Sequence, residues 1–314
     1  MNCLVTGASG FIGNSLTKRL IKEGYKVFAL IHTKKPKIYE KKIEYITCDI
    51  TKPLTLNNLP KEIDVVFHCA SLVKDYGPKA LFYKVNVEGT KNLVNVFKKN
   101  DIKCFIYLSH IGYESEKNFG YYSISKKLAE KYLVEKYRKK YFPIIILRPG
   151  NVYGPGANTW VLRPIEAIKK DRIALINNGE GIFLHTYIDN LIDALITAIN
   201  TPKAIGKTID ITDGDYSISW GKYLNDLAKI TGKKPIKRNF SKGTAMIIAN
   251  IMVFSSRIID FKPWITPSAV NILTNDKTVS IKKAEKILNY QPKIGYKQGM
   301  KKIENWLRCE GYIT

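Results

Sequence analysis

Arginine is scarce in this 314-residue chain: eight residues against 43 lysines. Arginine is the side chain that reads phosphate and carboxylate through two parallel hydrogen bonds. The basic excess, 51 against 27 and a net charge of +24, therefore reads first as a lysine-rich background spread through every segment. Its second reading is attraction to a polyanion, an acidic membrane surface or a phosphorylated ligand. Cysteine is also sparse. Five residues at positions 3, 48, 69, 104 and 309 are odd in number and none sits at metal spacing. That excludes a disulfide framework and implies a reducing compartment. The four histidines form no ligand-spaced cluster with Cys or Asp, so no metal is expected. No apolar run reaches about 18 uncharged residues, so no membrane-spanning helix is expected. Met1 leads straight into a strand-like run, so no leader is expected. No repeat or low-complexity tract appears, and 45% hydrophobic with 25% charged residues is the balance of a globular protein.

What the chain does have is alternation. Short β-branched runs at 2–6, 26–32, 43–48, 65–69, 103–109 and 144–147 are separated by helical patterns at 11–22, 83–100 and 121–139. Strands divided by helices predict an α/β fold, a doubly wound parallel sheet whose ligand sits at the carboxyl ends of the strands. After residue 150 the pattern loosens. Gly, Pro and Asn cluster at 150–158, followed by helices at 164–169 and 189–199, a strand at 207–211, and a mainly helical remainder. The expected organisation is a doubly wound domain over 1–160, with returning segments near 185–215, and a smaller, mostly helical C-terminal lobe over 161–314.

Thr6-Gly7-Ala8-Ser9-Gly10-Phe11-Ile12-Gly13 follows the first strand and opens the first helix. Gly7 permits the tight turn, Gly10 lets a pyrophosphate approach the backbone, and Gly13 lets the helix pack against the sheet. The helix N-terminus offers free N–H groups and partial positive charge to phosphates. A glycine string alone is weak; between a strand and a helix it is a dinucleotide fingerprint, which makes 1–160 a dinucleotide-binding Rossmann domain and leaves 161–314 as the lobe expected mainly to bind substrate.

This spacing resembles that of the extended short-chain dehydrogenase/reductase superfamily, which includes NAD-dependent epimerases/dehydratases and 3β-hydroxysteroid dehydrogenase-like enzymes. Further stretches resemble the same superfamily. Asp64–Ala70 is similar to its fourth strand and the turn lining the cofactor, Cys48-Asp49-Ile50 to the segment contacting adenine, and Asn86–Thr90 to its structural Asn helix. Leu147–Gly156 is similar to the strand and loop bearing nicotinamide contacts. The resemblance implies an NAD(P)-dependent oxidoreductase or epimerase with cofactor contacts at Gly7, Ser9, Gly10, Phe11, Ile12, Gly13, His32, Lys34, Asp49, Ile50, Cys69, Ala70, Tyr122, Lys126, Pro149, Asn151 and Val152. It also implies pairing of two copies through 83–100 and 121–139. At the end of the second strand, Leu30-Ile31-His32-Thr33-Lys34-Lys35 contains no carboxylate to hold a ribose hydroxyl, which favours NADP over NAD.

The family's chemistry needs a Tyr and a Lys four apart on one helical face, the ammonium lowering the phenol pKa. The spacing occurs three times, at Tyr113/Lys117, Tyr122/Lys126 and Tyr132/Lys136, as often as random placement of 19 Tyr and 43 Lys would produce it. Context selects Tyr122/Lys126, whose Ser-Lys and Ala-Glu flanks resemble the family's Tyr helix. The family usually places a second hydroxyl residue after the fifth strand. Here Ser109 is followed by His110. Three readings stay open: neutral His110 donates through its one N–H, Ser109 or Ser123 takes over, or the chain binds dinucleotide as a non-catalytic subunit or sensor.

Two substrate classes compete. Nucleotide-sugar enzymes usually carry an Arg after the Gly-x-Gly of the second lobe. Gly179–Asn190 offers none, leaving Arg163 and Arg172 as substitutes. The 3β-hydroxysteroid dehydrogenase-like group is favoured, with hydride transfer at a hydroxyl or keto carbon of a small apolar substrate. Residues 244–261 read either as a buried lobe helix or as a helix lying in a membrane interface. The expected location is cytoplasmic, with peripheral membrane contact under the second reading. Nucleic acid is not an expected partner, since no aromatic-interleaved basic patch or known module is present.

Overall fold

The computed structural model describes residues 1–32, 43–98, 100–112, 120–256, 258–259 and 261–313. The strands are β1 (Asn2–Thr6), β2 (Lys26–Ile31), β3 (Ile43–Thr47), β4 (Val65–His68), β5 (Cys104–Leu108), β6 (Ile144–Pro149), β7 (Asn151–Tyr153), β8 (Leu175–Ile176), β9 (His185–Tyr187), β10 (Thr208–Ile211) and β11 (Asn239–Phe240). The helices are α1 (Phe11–Lys22), α2 (Lys79–Phe82), α3 (Gly89–Phe97), α4 (Tyr121–Lys140), α5 (Arg163–Lys169), α6 (Ile188–Ile199), α7 (Trp220–Ile230), α8 (Lys242–Ser255), α9 (Pro267–Leu273), α10 (Lys282–Leu288) and α11 (Tyr296–Cys309).

Seven strands form one parallel sheet in the order β10-β6-β5-β4-β1-β2-β3. Its central strands are apolar throughout because helices cover both faces. The pleat sends Cys3 and Val5 into a cluster with Leu16 of α1 and Leu195 of α6. Leu4, opposite Phe28 and Val66, points the other way toward Leu93, Phe97 and Leu133 of α3 and α4. Strand order reverses between β1 and β4, and the loop after β1 opens at that switch point. The doubly wound parallel sheet expected from the alternation is present. The later chain is not confined to a separate lobe: Ala284 and Leu288 of α10 and Ile303 and Leu307 of α11 belong to the same cluster as Cys3. The covering lobe is built from α7, α8, α9 and the short β8–β11 pair.

The uniform helix expected over 83–100 is not uniform. Tyr83–Glu88 is a π-helical turn, and α3 follows it. The widened turn presents Asn86, which is 1% exposed. Its Oδ1 accepts from the Leu72 N–H at 2.7 Å and the Ser71 hydroxyl at 3.0 Å, while its Nδ2 donates to Ser125 Oγ at 2.9 Å. One carboxamide thus joins the segment after β4 to the first turns of α4. The Ser125 hydroxyl donates in turn to the Tyr122 carbonyl at 2.7 Å. Further along α4, Arg148 Nε of β6 donates to Glu130 Oε1 at 2.9 Å and fixes the helix on the sheet.

Replacing Asn86 with Leu keeps the volume but leaves the Leu72 N–H and the Ser125 hydroxyl without this partner. The expected loss is about 2–3 kcal/mol, measured as a lower urea midpoint at unchanged slope. An unshifted midpoint would show that the clamp is dispensable.

Candidate active site

A cleft of about 750 Å³ runs along the carboxyl ends of the strands. At one end lies the glycine loop. Gly7 has φ +67°, and a Cβ there would lie 2.8 Å from the Ala70 backbone; one at Gly13 would lie 2.3 Å from the Gly7 carbonyl. Side chains at these positions would fill the cradle. α1 begins at Gly10 with no side-chain cap, so its first turn faces the cleft as a ready anion site.

Beneath the loop a buried polar relay holds β1, β4 and α3 together. The Thr90 hydroxyl donates to the Asn86 carbonyl at 2.7 Å, so its oxygen accepts from His68 Nε2–H at 2.8 Å. His68 Nδ1 then accepts from the Thr6 hydroxyl at 2.8 Å, and Thr6 accepts from the Ala70 N–H at 3.0 Å. Burial, with Lys126 adding to it, holds His68 well below the ordinary histidine range. Its role is structural.

At the end of β2, the exposed His32 ring lies 3.6 Å from the Asp49 carboxylate. Burial alone would raise Asp49. The Thr51 hydroxyl at 2.8 Å and N–H at 2.9 Å, then His32, outweigh it and hold the carboxyl below its ordinary value. Lys34 and Lys35 lie outside the described residues, as do Tyr113, Lys117 and Arg257.

Gly7, Ser9, Gly10, Phe11, Ile12, Gly13, His32, Asp49, Ile50, Cys69, Ala70, Pro149, Asn151 and Val152 all line this one cleft, and so do Ser109, His110, Tyr122 and Lys126. Lys126 is 2% exposed. Its Nζ donates to the Leu108 carbonyl at 2.7 Å and sits 4.0 Å above the Tyr107 ring centroid. Burial lowers its pKa to about 7 against the opposing pull of Glu130. The expected lowering of the Tyr122 phenol by this ammonium is not what the geometry produces. Burial pushes the phenol above the ordinary tyrosine range, because the ammonium is aimed at the Leu108 carbonyl.

The His110 ring stacks on Tyr122 with centroids 5.1 Å apart and planes 26° from parallel. Its Nδ1 is 2.8 Å from the Ile111 carbonyl, which can only accept, so Nδ1 carries the proton. Burial lowers the ring to about pKa 4, despite that bond, with Lys126 adding to the effect. A neutral His110 therefore has its single N–H engaged and offers a lone pair at Nε2. It is placed to accept a hydrogen bond, not to donate one as the substituted hydroxyl would. Two buried polar atoms lining the cleft, Ser109 Oγ and Asn151 Nδ2, have no partner among the described residues. Together with the glycine cradle, these open groups fit a dinucleotide and a polar ligand head.

The other end of the cleft is lined by Leu72, Val73, Leu81, Val85, Trp160 and Ile272, with Ser268 beside them. Sequence reasoning missed Trp160, Ser268 and Ile272. The Thr266-Pro267 pair is a helix-start signal, but nothing in it says which element α9 will face. Arg163 is turned to Asp75 at 3.5 Å and Arg172 is exposed; among the described residues no arginine lines the cleft. Tyr132/Lys136 lies further along α4 and outside it, with Lys136 Nζ 5.1 Å from the Tyr132 ring. His185 is buried elsewhere, Nδ1 donating to the Phe183 carbonyl at 2.9 Å. No set of three or more His, Cys, Asp or Glu side chains that could hold a metal occurs among the described residues.

Residues 3–212 match the model of the NAD dependent epimerase/dehydratase family. Over 92% of this chain and 86% of the relative, the sequence is 26% identical to the sterol-4-alpha-carboxylate 3-dehydrogenase, decarboxylating, of Mus musculus. It is 23% identical to the 2-alkyl-3-oxoalkanoate reductase of Shewanella oneidensis over 96% and 85%. In fold it is similar to the UDP-glucuronic acid 4-epimerase of Bacillus cereus in complex with NAD, at a TM-score of 0.74, 24% identity and 99% coverage of both chains.

The buried neutral imidazole has a measurable consequence. The unfolded chain takes up a proton at His110 near the ordinary histidine pKa, whereas the folded chain does so near 4. Stability falls as pH drops through that window, by about 3 kcal/mol for His110 alone. His68 adds to the same limb, so His110→Gln should flatten only part of it. Urea denaturation of both proteins at pH 7 and pH 4.5 checks this; parallel pH slopes would contradict it.

Proposed function

The chain belongs to the NAD dependent epimerase/dehydratase family, within the extended short-chain dehydrogenases/reductases, and is a dinucleotide-dependent enzyme; from that premise we propose that it interconverts a secondary alcohol and a ketone on a small apolar substrate. The observation that carries this reading is the substrate end of the cleft. Leu72, Val73, Leu81, Val85, Trp160 and Ile272 line it, with Ser71, Asp75, Asn158 and Thr159 in the same cleft, and among the described residues no arginine lines it for a diphosphate. Lys74, which also lines it, suits a carboxylate near the reacting carbon, as in the substrates named for the sterol-4-alpha-carboxylate dehydrogenase and the 2-alkyl-3-oxoalkanoate reductase.

A nicotinamide dinucleotide, when bound, supplies or accepts the hydride; the residues that would hold it are the Gly7–Gly13 loop, His32, Asp49, Ile50, Cys69, Ala70 and Pro149–Val152. Tyr122 handles the proton. Burial keeps its phenol protonated at neutral pH, so in reduction it gives its proton to the carbonyl oxygen and is reprotonated from solvent; in oxidation the phenol must first release its proton to solvent before it can take the hydroxyl proton, which favours reduction at neutral pH. Lys126 places positive charge beside that oxygen without needing a carboxylate partner. His110 accepts at Nε2, and the donor to the substrate oxygen is Ser109 or Ser123. NADP is the proposed form: β2 ends in Leu30-Ile31 and is followed by His32, with no carboxylate among them, and Lys34 follows in sequence. Residues 1–160 with 185–215 form the dinucleotide part of this proposal. Pairing of two copies through 83–100 and 121–139 completes it, supported by exposed Tyr121 and Leu128 on α4.

Tyr122→Phe should lower turnover of an apolar hydroxy or 3-oxo acid by at least about 100-fold while NADPH affinity stays within about twofold, since the phenol acts on substrate. Lys126→Met should impair both. Retained activity in Tyr122→Phe removes the proposed chemistry. Fluorescence titration with NADPH and NADH at low and high salt tests the cofactor: tighter NADPH binding at low salt is expected, and equal or tighter NADH binding overturns the preference.

A further inference from the structure

Helix α8 is packed inside out. The side it lays on the protein carries Ala245 and Ala249, set against Val270 of α9 and Ile176 of β8. The opposite side carries Ile247, Ile251 and Phe254, which are 64%, 59% and 63% exposed. Beyond the helix the same character continues in Ile258 and Ile259, and Trp264 is 67% exposed. The buried-helix reading of 244–261 therefore fails for one side of the helix: Ala245 and Ala249, with Met246 beside them, seat it, while Ile247, Ile251 and Phe254 are left outside. Isolated exposed apolar residues are ordinary, but a contiguous set at helical spacing marks a surface that meets something apolar.

The charge around the face says what that is. From 233 to 262 the sequence carries seven Lys and Arg and one carboxylate, Asp260. Lys242 opens the helix and Lys262 follows its apolar extension, both exposed. Asn250, the polar residue within the run, is already satisfied, its Nδ2 donating to the Met246 carbonyl at 2.9 Å. No helix among the described residues is long and apolar enough to cross a membrane. Arg238 is held by Asp171 at 2.9 Å, but an apolar stripe with Lys242 at one end and Lys262 beyond the other, on a helix too short to span, is the pattern of a segment that lies in the plane of an anionic bilayer, apolar side among the acyl chains and ammonium groups at the phosphates.

On its packed side the helix adjoins the substrate end of the cleft. α9 packs on α8 and sends Ser268 and Ile272 into the cleft, and the Tyr76 hydroxyl, from the segment that lines the same end, donates to the Ser256 carbonyl at 3.4 Å. We propose that the α8 face, continued through Ile258, Ile259 and Trp264, docks the protein on an anionic lipid bilayer, with the helix itself between the lipid and the apolar end of the cleft. Its purpose, collecting an apolar substrate from lipid, rests on the function proposed above; the docking itself does not.

Sedimentation with phosphatidylcholine vesicles, with and without phosphatidylglycerol, tests it. At low salt the intact chain should pellet with the anionic vesicles, release as salt rises, and show a blue shift of tryptophan emission that Trp264→Phe removes. Ile251→Glu with Phe254→Glu should weaken that binding at least tenfold while leaving the thermal midpoint and NADPH binding unchanged. A wild-type chain that stays in the supernatant with anionic vesicles and shows no such shift overturns the proposal. So does a wild-type chain that self-associates without lipid and becomes a smaller species in the double variant, because the face is then an interface between copies. NADPH titration on the same samples separates the two readings. Dinucleotide binding without vesicle binding overturns the docking alone; vesicle binding without dinucleotide binding overturns the reading of the cleft alone.

Discussion

The site is held together by one buried amide. Asn86 bonds at once to the segment after β4 and to Ser125 of α4, and Ser125 bonds back to the Tyr122 carbonyl. The glycine loop is tied in through the same turn, since the Asn86 carbonyl ends the chain of bonds that runs through Thr90, His68 and Thr6 to the Ala70 N–H. A regular α-helical turn over 83–88 would not present these groups together. The π-helical widening is the kind of local irregularity that persists at functional sites because the surrounding bonds over-determine it.

Burial then sets the charge state of everything the clamp positions. Lys126 has no carboxylate at salt-bridge distance among the described residues; a backbone carbonyl and the face of Tyr107 are its partners. A cation held that way is poised near neutrality. His110 beside it is neutral with its proton engaged by the Ile111 carbonyl, and Tyr122 is protonated. The result is a proton donor, an adjustable cation and a lone-pair acceptor in a small apolar space, an arrangement suited to exchanging one proton with an oxygen atom.

Much of this was legible in the sequence, for a physical reason in each case. The glycine string between a strand and a helix forces a backbone approach that no side chain permits, and Gly7 and Gly13 are where a Cβ would collide. Tyr122/Lys126 could be separated from two equal spacings because strand order decides which helix start faces the cleft. Other features were not legible. A single π-turn of six residues is too short to shift the helical pattern around it visibly, so the widening at Asn86 was hidden. Which nitrogen of His110 holds the proton depends on the Ile111 carbonyl, a matter of backbone direction. Trp160, Ser268 and Ile272 reach the cleft from distant segments with no motif of their own. The run at 244–261 was ambiguous because hydrophobicity alone does not say which face of a helix packs; Ala245 and Ala249 decide it.

The central claim is that hydride leaves or enters a small apolar substrate as net oxidation or reduction, in contrast to epimerisation of a nucleotide sugar. The most direct measurement follows the hydrogen itself. The enzyme is incubated with oxidised dinucleotide and an apolar hydroxy acid deuterated at the carbinol carbon, and in parallel with a UDP-hexose deuterated at the epimerisable carbon. The account predicts deuterium in free reduced dinucleotide, with ketone formed in equal amount, from the hydroxy acid only. Deuterium retained on an inverted UDP-hexose carbon, with no reduced dinucleotide released and no reaction of the hydroxy acid, would contradict it.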